Sequence, residues 1–277
     1  MIGYLGPEGS FTHQALNVYL TRTHQPGVEI ISFQTITQII DGVNSGKIKH
    51  GIVPVENSIE GGVGEVLDQL IRASQKVTIS SEIIIPIEHC LITKTKKLAE
   101  IKKVIAHTQA LSQCQSYLKR FLPEAEIEPV TSNSTGVKIV SEMSNGNIAA
   151  IGPEMAAKIY KVPVFEKGIN DEKDNFTRFV VVATETATPT GNDKTTIAFG
   201  VPYDKPGTLV GVLQSFAKEK VNLSRIESRP SKKALGEYIF FIDLEAHRED
   251  LPLKRALSEV ASEFSFYRWL GSYPRWA

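Results

Sequence analysis

Cysteine is scarce in this chain, with two in 277 residues, Cys90 and Cys114. Neither lies in a CxxC pair and no His/Cys group has metal-ligand spacing, which argues against a disulfide framework and a metal centre and for two reduced thiols. An excess of either charge is also missing. Lysine plus arginine and aspartate plus glutamate both number 31, and nucleic-acid surfaces normally carry a basic excess. No helix-turn-helix pattern accompanies that balance, so a transcription factor is not expected. No apolar run approaches the roughly 20 residues of a membrane span. The opening MIGYLGPEGS has neither the charged start nor the apolar centre of a signal peptide. The expected location is cytoplasmic. No glycine-rich dinucleotide fingerprint occurs, and the expected cofactors are none.

What is present is the composition of a globular protein, 42% hydrophobic and 22% charged, at a length suited to two domains. From the first residue, short apolar runs alternate with helical periodicity. Strands are expected over 2–5, 28–32 and 51–55. Between them lie helical patterns: Phe11, Ala15 and Tyr19 on one face, then Ile36, Ile39, Ile40 and Val43, then Val66, Leu67, Leu70 and Ile71. Residues 77–93 are long, β-branched and interrupted by Pro86, and read as extended chain crossing between two lobes. A second series follows, with strands over 104–106, 127–130, 148–151 and 178–183 and helices over 110–121, 135–143 and 153–160. Such βαβα rhythm implies a mostly parallel sheet with helices on both faces. Two such lobes leave a cleft, where small-molecule sites collect.

Residues 185–194 (ETATPTGNDK) have no apolar periodicity and read as a linker. Beyond it come a strand over 195–201, a helix over 206–220, strands over 222–228 and 237–244, a helix over 253–264 and a strand over 267–270. This βαββαβ order is ferredoxin-like. The clean linker leads us to expect that the part before residue 194 stands alone.

Several segments together resemble the prephenate dehydratase family. They are YLGPEGSFTHQA at 4–15, PVENSIEGGV at 54–63, IEHCL at 87–91, AHTQALSQC at 106–114, STG at 134–136 and DNFTRFVVV at 174–182. Six pieces in order over the whole chain are far more specific than any one. GTLV at 207–210 and ESRP at 227–230 resemble the two motifs of a fused ACT domain. The resemblance implies a two-lobed, periplasmic-binding-protein-like α/β catalytic domain over 1–184. Its lobe one would span about 1–80 plus 162–184, and its lobe two about 81–161. A ferredoxin-like ACT domain over 195–277 would follow. It implies conversion of prephenate to phenylpyruvate, inhibition by phenylalanine, and homodimers or homotetramers.

The reaction loses a ring carboxylate and a ring hydroxyl and leaves an aromatic ring. The protein must protonate the departing hydroxyl and hold two carboxylates. The resemblance assigns the proton to Thr177, with Arg178 as a planar cation for a carboxylate. Spacing alone favours Thr177 ending a strand and Arg178 pairing with a nearby acid. Adjacent strand side chains point to opposite faces, so both reach one site only where the backbone is irregular. Phe179 serves either as core or as substrate surface. Asn57 is expected to bind substrate, Glu56 to orient a donor, and Ser58 either to bind or to satisfy its own turn. Ser10, Phe11 and Thr12 open one helix and Ser134, Thr135 and Gly136 another, positions where capping and anion binding are compatible. Gln113 lies near the substrate by resemblance. His107 and His89 are candidate donors, His89 more plausibly structural. Ala106 and Thr108 depart from the family pattern of serine and proline, and Ala106 removes a hydroxyl. In the ACT domain, Gly207, Thr208, Leu209 and Val210 of one subunit and Glu227, Ser228, Arg229 and Pro230 of another would form the phenylalanine site. The rival substrate is arogenate, the transaminated analogue. The rival class is a non-catalytic amino-acid or anion binder.

Overall fold

The computed structural model describes residues 1–144, 146–202, 206–234 and 236–276. The chain begins β1 (Ile2–Leu5), α1 (Phe11–Arg22), β2 (Ile30–Phe33), α2 (Ile36–Asn44) and β3 (His50–Asn57). It continues with the two-residue β4 (Gly61–Gly62), α3 (Gly64–Arg72) and β5 (Thr78–Pro86). Lobe two holds β6 (Cys90–Thr93), β7 (Lys103–Ala106), α4 (Thr108–Gln113), α5 (Gln115–Phe121), β8 (Glu126–Pro129), α6 (Asn133–Glu142), β9 (Ile148–Gly152), α7 (Glu154–Tyr160) and β10 (Val164–Glu166). The chain then returns as β11 (Phe176–Ala183). The first sheet runs β2-β1-β3-β11-β5 and the second β10-β6-β9-β7-β8.

The two α/β lobes and their crossing strands match the expected architecture, but the sheets are mixed rather than mostly parallel, because β11, β5, β6 and β10 join them antiparallel as the chain crosses and returns, and the crossings fall later than residues 80 and 161. β5 stays in the first sheet to Pro86, while β10 pairs with β6 in the second. The expected 110–121 helix is broken at Cys114 (φ −120°). There the Asp171 carboxylate accepts the Ser116 N–H at 3.1 Å and so supports the restarted α5. The helix expected from residue 135 begins two residues earlier, because Ser132 is its N-cap and accepts the Thr135 N–H at 3.0 Å.

The remaining chain is β12 (Asp193–Gly200), α8 (Thr208–Lys218), β13 (Leu223–Pro230), β14 (Tyr238–Leu244), α9 (Leu251–Val260) and β15 (Phe266–Pro274). Its antiparallel sheet runs β13-β14-β12-β15, the ferredoxin-like order. One face packs on α8 and α9 through Phe199, Val212, Phe216 and Leu253. The other face shares a core with the first lobe: Ala198, Phe241, Leu270 and Tyr273 pack with Val53, Val55, Ile79, Val180 and Val182. The second domain thus completes the core of the first, which speaks against the expected free-standing catalytic part. Closeness at this seam depends on Gly271 in β15 (φ +149°), where a Cβ would lie 2.2 Å from the Ile79 carbonyl oxygen. That glycine also explains why β15 outruns the expected 267–270 strand: a residue that reads as a breaker is the point of closest approach. Among the described residues no helix is long and apolar enough to cross a membrane.

Candidate active site

A cavity of about 220 Å³ lies between the two lobes. Of the expected residues it gathers Ser10, Phe11, Thr12, Asn57, Gln113, Ser134, Thr177 and Phe179, together with His89 and His107. Strand chemistry explains the centre. β11 carries Thr177 and β3 carries Asn57, paired directly across an antiparallel ladder. The β3 register shifts opposite the Arg178–Phe179 step. Pro54 lines the cavity and Val53 and Val55 lie in the core behind the sheet. Glu56, with its partners, faces that same far side. The bulge thus turns two successive residues, Val55 and Glu56, away, and this restores Asn57 to the cavity face. Bulges re-aim side chains beside sites in this way.

Asn57 organises the centre. Its Nδ2 donates to Asn175 Oδ1 at 2.7 Å and to Thr177 Oγ1 at 2.9 Å. Its Oδ1 accepts the N–H groups of Ile59 and Glu60, each at 3.0 Å. Because Thr177 Oγ1 receives a hydrogen from Asn57, its own O–H hydrogen is left for the cavity. Gln113 is buried at the end of α4. Its Oε1 accepts from Asn175 Nδ2 at 3.0 Å and from His89 Nε2 at 3.2 Å, and its Nε2 donates to Glu60 Oε1 at 3.0 Å. Burial pushes the His89 imidazole down to about 4, so it is neutral near pH 7. Its ring also meets Phe11 edge-on, with centroids 5.4 Å apart.

Two helices of ordinary length start at the cavity. Ser10 caps α1, accepting the His13 N–H at 3.3 Å, and Ser132 caps α6. Both caps line the cavity. Ser134, 1% exposed, has a buried hydroxyl with no hydrogen-bond partner among the described residues. Among the described residues no Lys, Arg, Asp or Glu lines the cavity, so an anion there meets helix N-termini and neutral donors.

Four expected site residues lie elsewhere. Arg178 and Glu56 face the far side of the sheet, where their side chains pair with each other at 3.0 Å. Strand alternation, with the irregularity in β3 rather than β11, puts them there. Ser58 satisfies its turn, its hydroxyl accepting the Phe176 N–H at 2.9 Å. Thr135 turns to Ser132, with the two hydroxyl oxygens 2.7 Å apart. Phe179 is both core, 1% exposed, and cavity wall. Ala106 is fully buried in the lobe-two core and does not line the cavity. Thr108 opens α4. The residue that sequence reasoning missed is Asn175, which closes the link between Asn57 and Gln113. Its one signal is its place at the end of a polar stretch, two residues before Thr177.

In the second domain, Gly207 (φ +88°) caps α8, Thr208 is buried, Leu209 half-buried and Val210 exposed. Along β13, Glu227 and Arg229 turn towards the first lobe, while Ser228 and Pro230 are exposed. Arg229 Nε donates to Asp68 at 2.9 Å. Among the described residues no group of three His, Cys, Asp or Glu side chains is placed to hold a metal.

A family model described as prephenate dehydratase matches residues 2–187, and one described as ACT domain matches residues 195–262. The bifunctional chorismate mutase/prephenate dehydratase of Aquifex aeolicus (strain VF5) is 39% identical over 275 residues, covering 99% of this chain and 73% of that one. The prephenate dehydratase of Bacillus subtilis (strain 168) is 34% identical over 283 residues, covering 98% of each. The crystal structure of prephenate dehydratase from Arthrobacter aurescens in complex with L-Phe has a TM-score of 0.87 at 35% identity, over 99% of this chain and 90% of that one. The chain belongs to the prephenate dehydratase family and carries an ACT domain behind its catalytic lobes.

Proposed function

We propose that the chain converts prephenate to phenylpyruvate and that phenylalanine bound by the ACT domain restrains the reaction. The observation that carries this is the Thr177 hydroxyl, held by Asn57 in a cavity lined, among the described residues, by no fixed charge and entered by the starts of α1 and α6. The substrate dianion needs two carboxylate subsites and one proton donor. Phe11 and Thr12, behind the Ser10 cap at one helix start, and Ser134 at the other supply donors that strengthen towards negative charge. As the ring carboxylate leaves as CO₂, its bonding pair enters the ring. The ring hydroxyl departs with the Thr177 proton as water. Threonine is a weak acid, so donation and departure are concerted. The net equation consumes one proton, which water returns to Thr177. Gln113 and Asn175 hold Asn57 in register, and neutral His89 supports Gln113 without adding charge.

The direct test incubates purified protein with prephenate and follows phenylpyruvate, with arogenate in a parallel arm. Product from prephenate is expected. Product from arogenate alone moves the specificity to the transaminated analogue, and product from neither overturns the reading.

For regulation, the reading is a phenylalanine site between the Gly207–Val210 turn of one copy and the Glu227–Pro230 strand end of another, in a homodimer or homotetramer. β13 is an edge strand, and Ile226 and Val210 are 50% and 55% exposed, surface that suits a second copy. Gly207 replaced by a bulky residue, or Ser228 by a larger one, should weaken inhibition with uninhibited kcat little changed. Phenylpyruvate formation against phenylalanine concentration, with light scattering for mass, checks both.

A further inference from the structure

The last two rungs of the β3–β11 ladder set Asn57 opposite Thr177 and Glu56 opposite Arg178. One side of the sheet at these rungs is the reaction centre. The other side is the seam with the regulatory domain. Arg178, 7% exposed, pairs there with Glu56 at 3.0 Å, with Glu82 of β5 at 3.3 Å and with Asp243 of β14 at 2.6 Å. Its Nη1 also reaches the Tyr273 hydroxyl of β15 at 3.5 Å. Asp243 accepts from Thr196 at 2.6 Å, and Lys194 at the start of β12 pairs with Glu82 at 2.8 Å. Arg225, on the strand that carries the ESRP segment, approaches Glu56 at 3.8 Å. Burial works against all these charges. Asp243, Tyr273, Glu82 and Glu56 nevertheless hold Arg178 in its charged form, and Arg178 and Arg225 hold the Asp243 carboxyl below the ordinary carboxylate range.

Apolar side chains would seal this seam at lower cost, since desolvating an ion pair offsets much of its attraction. What the ions add is geometry. A planar guanidinium bound on several sides has one orientation, and the residue just before it in the chain is Thr177. These two rungs end the β3–β11 ladder, and the register shift separates them from the regular ladder that starts at Phe179 and Pro54.

We propose that Arg178 is a positioning residue: clamped by Asp243 of the regulatory domain, and tied to Glu56, it sets the Thr177–Asn57 geometry on the opposite face of the sheet and passes the state of that domain to the reaction centre. This rests on the dehydratase reading above. Displacing the ACT sheet relative to β3 and β11 shifts the Arg178–Glu56 rung. The adjacent Thr177–Asn57 rung moves with it, because the same two backbone segments carry both. The control acts on turnover rather than on substrate binding, since neither Arg178 nor Glu56 lines the cavity.

The experiment uses the intact chain with prephenate as substrate and phenylalanine as effector. In Asp243→Asn, which keeps shape and removes charge, kcat should fall about tenfold, KM should stay within about twofold, and inhibition by phenylalanine should weaken within the about 5–150-fold by which one site commonly changes affinity at another. Asp243 is fully buried, so Glu56→Gln at the half-exposed end of the cluster is the second variant, with the same expected split. Glu56→Asp, which restores the charge, should recover part of kcat. Folded variants with unchanged kcat and unchanged inhibition overturn the proposal, as does a change confined to KM, which would place these groups at the substrate. Wild-type protein that forms no phenylpyruvate overturns the catalytic reading and this proposal together, whereas active wild type with indifferent variants overturns this proposal alone.

Discussion

At the scale of single residues, the chemistry depends on which way a side chain leaves its strand. Thr177→Ala should lower kcat by about 10²–10⁴-fold, the usual worth of a placed proton donor, with the fold intact. Thr177→Ser should keep much more activity because it keeps the hydroxyl. Equal rates for the two variants, in single-turnover or steady-state assays, would remove that hydroxyl from the proton transfer. His89 gives a pH prediction. Burial lowers it to about 4, and burial lowers His13 and His50 as well. In the unfolded chain histidine titrates near about 6.5, so below that pH the unfolded state binds more protons than the folded one. The stability contributed by neutral His89 is whole above about pH 6.5 and is lost as pH falls towards about 4. Thermal unfolding midpoints should fall steadily across that window, and the fall should be shallower in His89→Gln. Parallel slopes for the two proteins would show that His89 is not the group responsible.

At the scale of elements, helix starts decide where the anion sits. α6 presents Ser134 with an unpartnered buried hydroxyl, which is unfavourable in the free protein and useful once a carboxylate arrives. Ser134→Ala should therefore leave the unfolding midpoint unchanged or higher while raising KM for prephenate. A charge-assisted hydrogen bond is worth about 1.5–3 kcal/mol, so KM should rise roughly tenfold or more. A KM equal to that of the parent would take the α6 N-terminus out of the substrate site. The break between α4 and α5 has a related effect. It ends α4 at Gln113, whose amide then bridges His89, Asn175 and Glu60.

At the scale of the whole molecule, two domains share one seam. A fragment ending near residue 184 would expose Val53, Val55, Val180 and Val182, and would leave Arg178 without Asp243. Such a fragment should aggregate or unfold at temperatures where the intact chain is stable, as size-exclusion and thermal melts can measure. A soluble, fully active fragment would overturn this account of the seam. Gly271→Ala should act in the same direction. The added Cβ meets the Ile79 carbonyl oxygen at 2.2 Å in a backbone conformation that disfavours side chains, at a cost of about 2–4 kcal/mol. Denaturant unfolding of the intact chain checks it, and an unchanged midpoint would mean that the seam can relax.

Element type, the two-lobed plan and the βαββαβ tail were legible in the residues, because apolar periods of 3.6 and 2 report which face is buried whatever lies against it. The motifs likewise named Thr177, Asn57, Gln113 and both helix starts, since short polar signatures sit where strands and helices end. The facing of Arg178 and Glu56 was open in the sequence. Alternation alone separates Thr177 from Arg178, but the face shown by Asn57 depends on a one-residue bulge in β3, and a bulge leaves no mark in VPVENS. The role of Asn175 was equally hidden, because its partners Asn57 and Gln113 stand 118 and 62 residues away. Only the tertiary structure decided that the regulatory sheet closes the catalytic core. A buried Val53 or Val180 reads the same whether helix, sheet or a second domain covers it, and the covering surface is chosen by contacts between segments far apart in the chain.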